Sequence, residues 1–157
     1  MGGVPSTICG TRIDGGVVRS LFPSVRGLRE FSRVDANRAT SAPCLLLSGR
    51  DPVLELNFYW TVEAPDVTHF AESRELLLRI EQLRNVDKTS AVGNNGGIST
   101  APCNFRGKNY FTLTFRLPQL SPADPTHRKD IEKFMRAYFP ATVRTLGCER
   151  TSPSPQT

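Results

Sequence analysis

The sequence predicts a mixed α/β domain with the element order β-α-β-β-(β)-α, followed by an extended C-terminal arm and a last helix. Residues 53–60 alternate apolar and polar side chains, which is typical of a half-buried β-strand. Apolar side chains recur at helical spacing over residues 76–83 and predict an amphipathic helix at residues 71–85. The chain has 157 residues, 38% of them hydrophobic, which is enough for one domain with its own core.

The elements before the central strand follow weaker patterns. Residues 1–16 are rich in glycine and carry no hydrophobic period, so they predict a flexible lead. Residues 17–22 form a short apolar run that ends at Pro23, which predicts the first strand. Ser24 is predicted to cap a helix whose apolar stripe repeats every three residues. The members of that stripe are Val25, Leu28, Phe31 and Val34.

The central strand has predicted neighbours on both sides. Residues 44–47 predict a short buried strand, and the sequence GRDP at residues 49–52 has turn chemistry. In the strand at residues 53–60, one face is predicted to carry Leu54, Leu56, Phe58 and Trp60. Residues 67–70 predict a short return strand before the helix.

The last third of the chain is predicted to have little core of its own. Residues 86–100 include the sequence GNNGG and predict a linker. Residues 110–117 alternate and predict an extended segment, and residues 124–139 predict a helix. The predicted division is a lead at residues 1–16, a domain at 17–90, and a linker, arm and helix at 91–157.

Charge is distributed unevenly. Residues 1–50, 51–90 and 91–157 carry net charges of +4, −4 and +5, so an acidic middle separates two basic flanks. Sixteen of the twenty cations are arginine, whose planar guanidinium suits phosphates and stacked bases. This composition favours a polyanionic partner, RNA rather than a membrane surface. The apolar runs are far shorter than the roughly 20 residues that a membrane span needs.

The cysteines and histidines predict no metal site and no catalysis. Cys9, Cys44, Cys103 and Cys148 lie far apart without paired spacing, which favours reduced thiols in a non-oxidising compartment. Neither histidine has a neighbouring nucleophile motif, and the glycine-rich stretch is not a phosphate-binding loop. We therefore expect no enzyme activity, no cofactor and no small-molecule substrate.

Two groups of cations are candidates for binding RNA. The first presents three guanidinium groups from one face of the first predicted helix: Arg26, Arg29 and Arg33. In the second, Arg106 and Lys108 lie between the aromatic residues Phe105 and Tyr110, a combination that single-stranded RNA sites often use. The alternatives are a solubilising face for the first group and an aromatic anchor on the protein's own sheet for the second.

Two stretches resemble one protein family. Residues 24–31, SVRGLREF, are similar to the Gly-(small or apolar)-Arg-(Lys or Glu)-Phe helix opening of the thioredoxin-like mitochondrial family. That family includes one large-subunit and one small-subunit mitoribosomal protein and a small subunit of respiratory complex I. Residues 52–83 follow its order of proline, apolar strand, acidic segment and closing helix. Residues 101–110, APCNFRGKNY, are similar to the Pro-Ala-Asn-Phe-Gly-(x)-(basic)-(x)-Tyr stretch of the small-subunit member.

The resemblance implies a thioredoxin-like fold and a structural constituent of the mitochondrial ribosome small subunit, located in the matrix. Its implied partners are rRNA and neighbouring ribosomal proteins, without a membrane and without turnover. The aromatic residues expected to dock on those proteins are Phe105, Tyr110, Phe111 and Phe115. Redox members of such folds need a thiol at the turn into the first helix, and residues 22–25, FPSV, have none.

Three alternatives stay open at this point. The chain could be an accessory subunit of a respiratory complex, acting as a protein–protein spacer without RNA contact. It could be a large-subunit mitoribosomal protein of the same family. A degenerate redox enzyme is the third alternative.

Overall fold

The computed structural model describes residues 7–21, 28–32, 41–73, 80–105 and 107–148. Within these ranges it contains helices and a mostly antiparallel sheet, so the mixed α/β class is confirmed. In chain order the elements are β1 (Thr7–Ile8), β2 (Thr11–Arg12), α1 (Gly15–Leu21), β3 (Leu28–Ser32), β4 (Ser41–Ser48), β5 (Asp51–Thr61), α2 (Val67–Ser73), β6 (Arg84–Asp87), β7 (Ser90–Val92), β8 (Gly96–Phe105), β9 (Lys108–Arg116), a 3-10 turn (Pro125–His127) and α3 (Arg128–Thr145).

Seven of the described strands form one sheet in the order β3-β4-β5-β9-β8-β7-β6, and every adjacent pair is antiparallel. Strands β3 to β5 form one meander and strands β6 to β9 form a second. The second meander returns to the first, because β9 pairs with β5 from Glu55 opposite Arg116 to Thr61 opposite Tyr110. The two meanders therefore share one continuous sheet.

The inner face of the sheet carries the main core and is covered by α1 and α3. Phe134 of α3 packs edge-on against Phe115 of β9 with ring centroids 5.1 Å apart. The alternation predicted for β5 is confirmed on this face, where its four apolar residues are all buried: Leu54, Leu56, Phe58 and Trp60. These contacts make the inner face the main site of apolar burial.

The outer face is covered at the β6–β8 side by α2. Val67 and Phe70 of α2 pack with Ala91 and Ile98 in a second apolar cluster. The residues predicted as a short return strand, 67–70, are therefore helical. Asp66 stabilises this helix start, since its carboxylate accepts the His69 N–H at 3.1 Å and the Thr68 hydroxyl at 2.9 Å.

The first two predicted elements have exchanged types. Residues 17–21, predicted as a strand, lie in helix α1, where Val17, Val18 and Leu21 share one buried side. Residues 28–32, predicted as part of a helix, form the edge strand β3 paired with β4. Over so short a span, the same apolar residues fit both the three-residue repeat of a helix and the alternation of a strand. Contacts with the rest of the fold therefore decide which secondary structure forms.

The other two predicted helices differ in outcome. The helix predicted at residues 71–85 begins earlier, at Val67, and the segment Arg84–Asp87 is strand β6; residues 74–79 lie outside the described residues. The helix predicted at residues 124–139 is confirmed, and α3 extends it to Thr145 despite Pro140. In the described residues no helix is both long and apolar enough to cross a membrane.

The predicted linker and arm are integral to the sheet, which corrects the domain boundary at residue 90. Strand β9 lies at the centre of the sheet, and residues 90–100 are buried. Polar side chains in this stretch satisfy one another: the Thr100 hydroxyl bonds that of Thr112 at 2.9 Å, and Ser90 bonds Ser99. Hydrogen-bonded hydroxyl groups can be buried at little cost, so low hydrophobicity did not indicate exposure here.

The expectation of four reduced cysteines is wrong in this structure. Cys9 is bonded to Cys44, and Cys103 is bonded to Cys148. The partners are 35 and 45 residues apart in sequence, so only the folded chain brings them together. The first disulfide ties the N-terminal hairpin to β4, and the second ties the end of α3 to β8.

Tyr138 joins α3 to the N-terminal hairpin. Its hydroxyl donates to the carbonyl oxygen of Ile8 at 2.7 Å, and the side chain is fully buried. Burial raises the pKa of the Tyr138 phenol well above its ordinary value, because a phenolate there would lose its hydration.

We expect Tyr138→Phe to lower the free energy of unfolding by about 1–2 kcal/mol at neutral pH, because the Ile8 carbonyl loses its donor. The native protein should lose stability as the pH rises above the unfolded-state tyrosine pKa of about 10, since only the unfolded phenol ionises there. Urea unfolding at neutral and alkaline pH measures both effects. If the Phe variant keeps the full alkaline loss while Tyr110→Phe abolishes it, this role of Tyr138 is wrong.

Candidate functional site

Arg29 lies on the edge strand β3, with its side chain on the outer face. Its Nε and Nη2 donate to the carbonyl oxygen of Gly49 at 3.3 and 3.1 Å, which holds the guanidinium over the β4–β5 turn. Gly49 adopts a φ of +63°, a conformation that glycine reaches without strain. The guanidinium group itself is exposed, so its remaining donors face solvent.

Apolar side chains surround Arg29 on the outer face. Phe31 lies opposite Leu45, and Arg29 lies opposite Leu47 in the antiparallel register. Phe31 is 48% exposed, and both leucines are partly exposed. We call these four residues the β3–β4 patch; it combines a cation with an accessible aromatic ring, as contact surfaces often do.

An ion pair adjoins the β3–β4 patch. Glu55 lies opposite Leu45, and Arg116 binds the Glu55 carboxylate through both oxygens, with Nη2 at 3.0 and 3.1 Å. Both side chains are about three-quarters buried, at 22% and 27% exposure. This bidentate ion pair fixes the register of β5 on β9 and neutralises the charge of Arg116 within the chain.

The second predicted group of cations lies at the other end of the sheet. Lys108 and Tyr110 lie at the start of β9, and Tyr110 pairs with Thr61 at the end of β5. Arg29 of β3 pairs with Leu47 of β4, which in turn pairs with the beginning of β5. Nine residues of strand separate these positions along β5, which corresponds to roughly 30 Å. The structure therefore does not bring the two described cations into one site.

Two of the aromatic residues expected to dock on partners are part of this protein's own core. Phe111 is fully buried and lies 5.0 Å from Trp60 and 5.8 Å from Phe139 between ring centroids. Phe115 is 1% exposed and packs against Phe134. The expected docking role of Phe111 and Phe115 is thus wrong, because their strand runs through the middle of the sheet.

The structure describes only some of the remaining residues that were predicted to bind RNA or to dock on partners. Tyr110 and Lys108 are partly exposed at the β8–β9 hairpin. Arg26, Arg33 and Arg106 lie outside the described residues, as does the side chain of Phe105.

The groups with shifted pKa values act in local structure. Hydrogen bonds from the His69 N–H and then the Thr68 hydroxyl lower the pKa of Asp66. The Thr126 N–H and hydroxyl lower the pKa of Asp124 in the same way. A hydrogen bond to Glu132 raises the pKa of Arg136 in a surface pair one helical turn apart. These three shifts therefore belong to helix starts or a helix-surface pair, and the fourth, at Tyr138, belongs to the core.

One cluster of metal-ligating side chains occurs in the part of the chain that the structure describes. Ligand atoms of Cys9, Glu30 and Cys44 lie within 4.8 Å of one another. The two sulfurs are bonded to each other, and Glu30 accepts the Cys9 N–H at 2.7 Å. A disulfide sulfur carries no thiolate charge, so this cluster is not a metal centre in its oxidised form.

A cleft of about 720 Å³ lies beside the turn at residues 93–97, and the sequence patterns did not identify the residues that line it. Arg84 and Arg128 both line it, and the buried Asn94 forms part of its floor. The sequence GNNGG was the available signal, since two asparagines between glycines are typical of a tight turn as well as of a linker.

Comparison with protein-family models, with curated proteins and with solved structures finds no match to this chain.

Proposed function

We propose that this chain is a non-catalytic structural protein that docks on a larger assembly through the β3–β4 patch. The observation that carries the proposal is the placement of Arg29 beside the 48% exposed ring of Phe31 on one face of paired strands. The cation can contact a phosphate or carboxylate while the ring and two leucines cover apolar surface. Such a mixed surface suits docking, because it combines orientation by charge with apolar burial.

The positions of the titratable groups support a structural role. The described groups with shifted pKa values are Asp66 and Asp124 at helix starts, Arg136 in a helix-surface pair and Tyr138 in the core. Each of them stabilises a local element. Contacts that stabilise the fold, rather than a reactive centre, thus account for the shifted pKa values of these four groups.

The first candidate assembly is the mitochondrial ribosome small subunit in the matrix, with rRNA and neighbouring ribosomal proteins as partners. The family resemblance at residues 24–31 and 101–110 suggests it, and a thioredoxin-like ancestry is part of this candidate. A net charge of +5 with sixteen arginines supports contact with RNA phosphates. In this candidate Arg29 contacts a phosphate and Phe31 packs on an adjacent base or protein.

The second candidate is a protein–protein spacer outside reducing compartments, of the kind expected for an accessory subunit of a respiratory complex. Its support is the pair of disulfides, Cys9–Cys44 and Cys103–Cys148. Disulfides are rare where thiol-reducing systems operate and common in oxidising compartments. In this candidate the partner is a protein, and RNA has no role in assembly.

Sedimentation of the native protein separates the two candidates. The ribosomal candidate requires co-sedimentation with small subunits, loss of that association after RNase treatment, and steep weakening by salt. The spacer candidate requires association that survives RNase and cysteines that are oxidised when the protein is trapped with an alkylating reagent. A protein that sediments alone under both conditions contradicts docking on a large assembly.

We expect Arg29→Ala to weaken binding to the assembly by roughly ten- to a hundredfold, because a charge-assisted hydrogen bond contributes on the order of 1.5–3 kcal/mol. If the partner is rRNA, the salt dependence of binding should also decrease by about one counterion. Arg144→Ala is the matched control, since Arg144 is exposed near the end of α3 on the inner side of the sheet. Equal losses in both variants would contradict a specific role for the patch.

A further inference from the structure

An open cleft lies beside residues 93–97. Its volume of about 720 Å³ lies in the range of small-molecule sites. One side presents Glu81, Gln82 and Arg84, and the other presents Pro122, Ala123 and Pro125. Arg128, at the first position of α3, lines the cleft as well.

Two buried asparagines hold the floor of the cleft. Asn94 is 4% exposed; its backbone N–H donates to the Glu81 carbonyl at 2.8 Å and its Nδ2 donates to the Pro122 carbonyl at 2.9 Å. Asn95 is 2% exposed, and its Oδ1 accepts the Glu81 N–H at 2.9 Å. The two walls are therefore joined through one network of buried hydrogen bonds, which positions them relative to each other.

Close packing explains the glycine next to these asparagines. A Cβ atom at Gly93 would lie 2.5 Å from the Glu81 carbonyl oxygen and 2.7 Å from Cγ2 of Ile80. Any other residue would thus push the wall at residues 80–82 away from the turn. Gln82 in that wall has a φ of +57°, a conformation that costs a non-glycine residue energy and is often kept at binding sites.

Arg128 is anchored in the cleft by neutral oxygens. Its Nη1 donates to the carbonyl of Gln82 at 3.0 Å and to Oδ1 of Asn94 at 2.8 Å, and its Nη2 donates to the carbonyl of Val92 at 3.0 Å. The ion pairs among the described residues do not include Arg128. A partly buried guanidinium is thus oriented by the fold without an ion pair to any acidic side chain that the structure describes.

The remaining donors of Arg128 suit an oxyanion. A guanidinium has five N–H groups, and three are used, which leaves the Nε–H and one Nη2–H. Arg84 is exposed on the opposite wall and bonds only Oε1 of Gln82, at 3.4 Å, within the described residues. Two cations and the carboxylate of Glu81 give the lining a net charge of +1, which matches a singly charged anion.

We propose that this cleft binds a small ligand that carries one carboxylate on an apolar body. Arg128 and Arg84 bind the carboxylate, and the wall of Pro122, Ala123 and Pro125 contacts the apolar body. Inorganic phosphate has no apolar body to contact this wall, so we expect it to bind more weakly than such a carboxylate. This inference concerns a different surface from the β3–β4 patch and does not depend on docking.

Titration of the ¹⁵N-labelled full chain followed by NMR tests the proposal, with 4-phenylbutyrate as probe, its uncharged amide as the matched compound, and inorganic phosphate at equal ionic strength. We expect saturable shifts of the Arg84 and Arg128 Nε–H signals with phenylbutyrate, at least fivefold weaker binding of phosphate, and no saturation with the amide. Equal binding of the amide, preferential binding of phosphate, or no binding of phenylbutyrate at millimolar concentration would each overturn the proposal.

Two substitutions on the exposed wall give effects of opposite sign. Arg84→Gln should weaken phenylbutyrate binding about tenfold, whereas Glu81→Gln should strengthen it about threefold by removing the repulsive carboxylate. Arg144→Gln removes an exposed charge near the far end of α3 and should leave the dissociation constant unchanged. Amide spectra of the variants check that the fold is intact. Indifference of binding to both Arg84 and Glu81 would overturn the assignment of the cleft.

Discussion

Replacing Cys103 and Cys148 together by alanine is expected to lower the free energy of unfolding by about 4 kcal/mol. The disulfide joins positions 45 residues apart, and a cross-link of that length reduces the entropy of the unfolded chain by about this amount. The bond also ties the end of α3 to β8, so its loss frees the helix that covers the inner face.

Urea unfolding of the double variant against the oxidised native protein measures this effect. The native protein in a phosphine reductant is the matched control, because it loses both disulfides without a change of sequence. It should unfold at a lower urea concentration than the double variant, which keeps Cys9–Cys44. If reductant leaves the midpoint unchanged, the disulfides are not part of the native protein and the second candidate assembly loses its support.

Phe111→Ala is expected to lower the free energy of unfolding by about 3–5 kcal/mol. The ring is fully buried between Phe58, Trp60 and Phe139, with centroid distances of 5.0–5.8 Å. Truncation removes its apolar burial and leaves a cavity that a close-packed sheet and helix cannot close. Thermal and urea unfolding of the full chain measure the change.

Phe31→Ala is the matched control for Phe111→Ala, since it removes the same ring from the outer face. With Phe31 48% exposed, we expect a loss below about 1 kcal/mol in stability, together with weaker binding to the assembly. The two substitutions thus separate a core role from a docking role. Equal stability losses would contradict the difference in burial, and undiminished binding by Phe31→Ala would contradict the patch.

The candidate sites could be predicted only in part. Arg29 was among the predicted contact residues, although it reaches the surface from a strand instead of a helix. The cleft was missed, because Arg128 and Asn94 are 34 residues apart in sequence and only folding brings them into hydrogen-bond contact. A sequence shows which donors and acceptors exist, whereas their pairing is a property of tertiary structure.

Buried polar residues explain the error about the last third of the chain. Thr112 on β9 is as buried as the aromatic residues on the other face of the strand, and Asn94 and Asn95 are buried in the turn. Hydropathy assigns such residues to the surface, because it does not register the partners that satisfy their hydrogen bonds. The predicted arm is consequently the centre of the sheet.

The sequence by itself determined the elements whose periodicity is long and unambiguous. Strand β5 and helix α3 were predictable because eight or more residues repeat one pattern, and a local repeat suffices to define which side is buried. Tertiary structure alone decided the types of the short segments at residues 17–21 and 28–32, the two cysteine pairings and the burial of the GNNGG turn. These depend on contacts between residues distant in sequence, whose free energy outweighs the small local preferences of the segments involved.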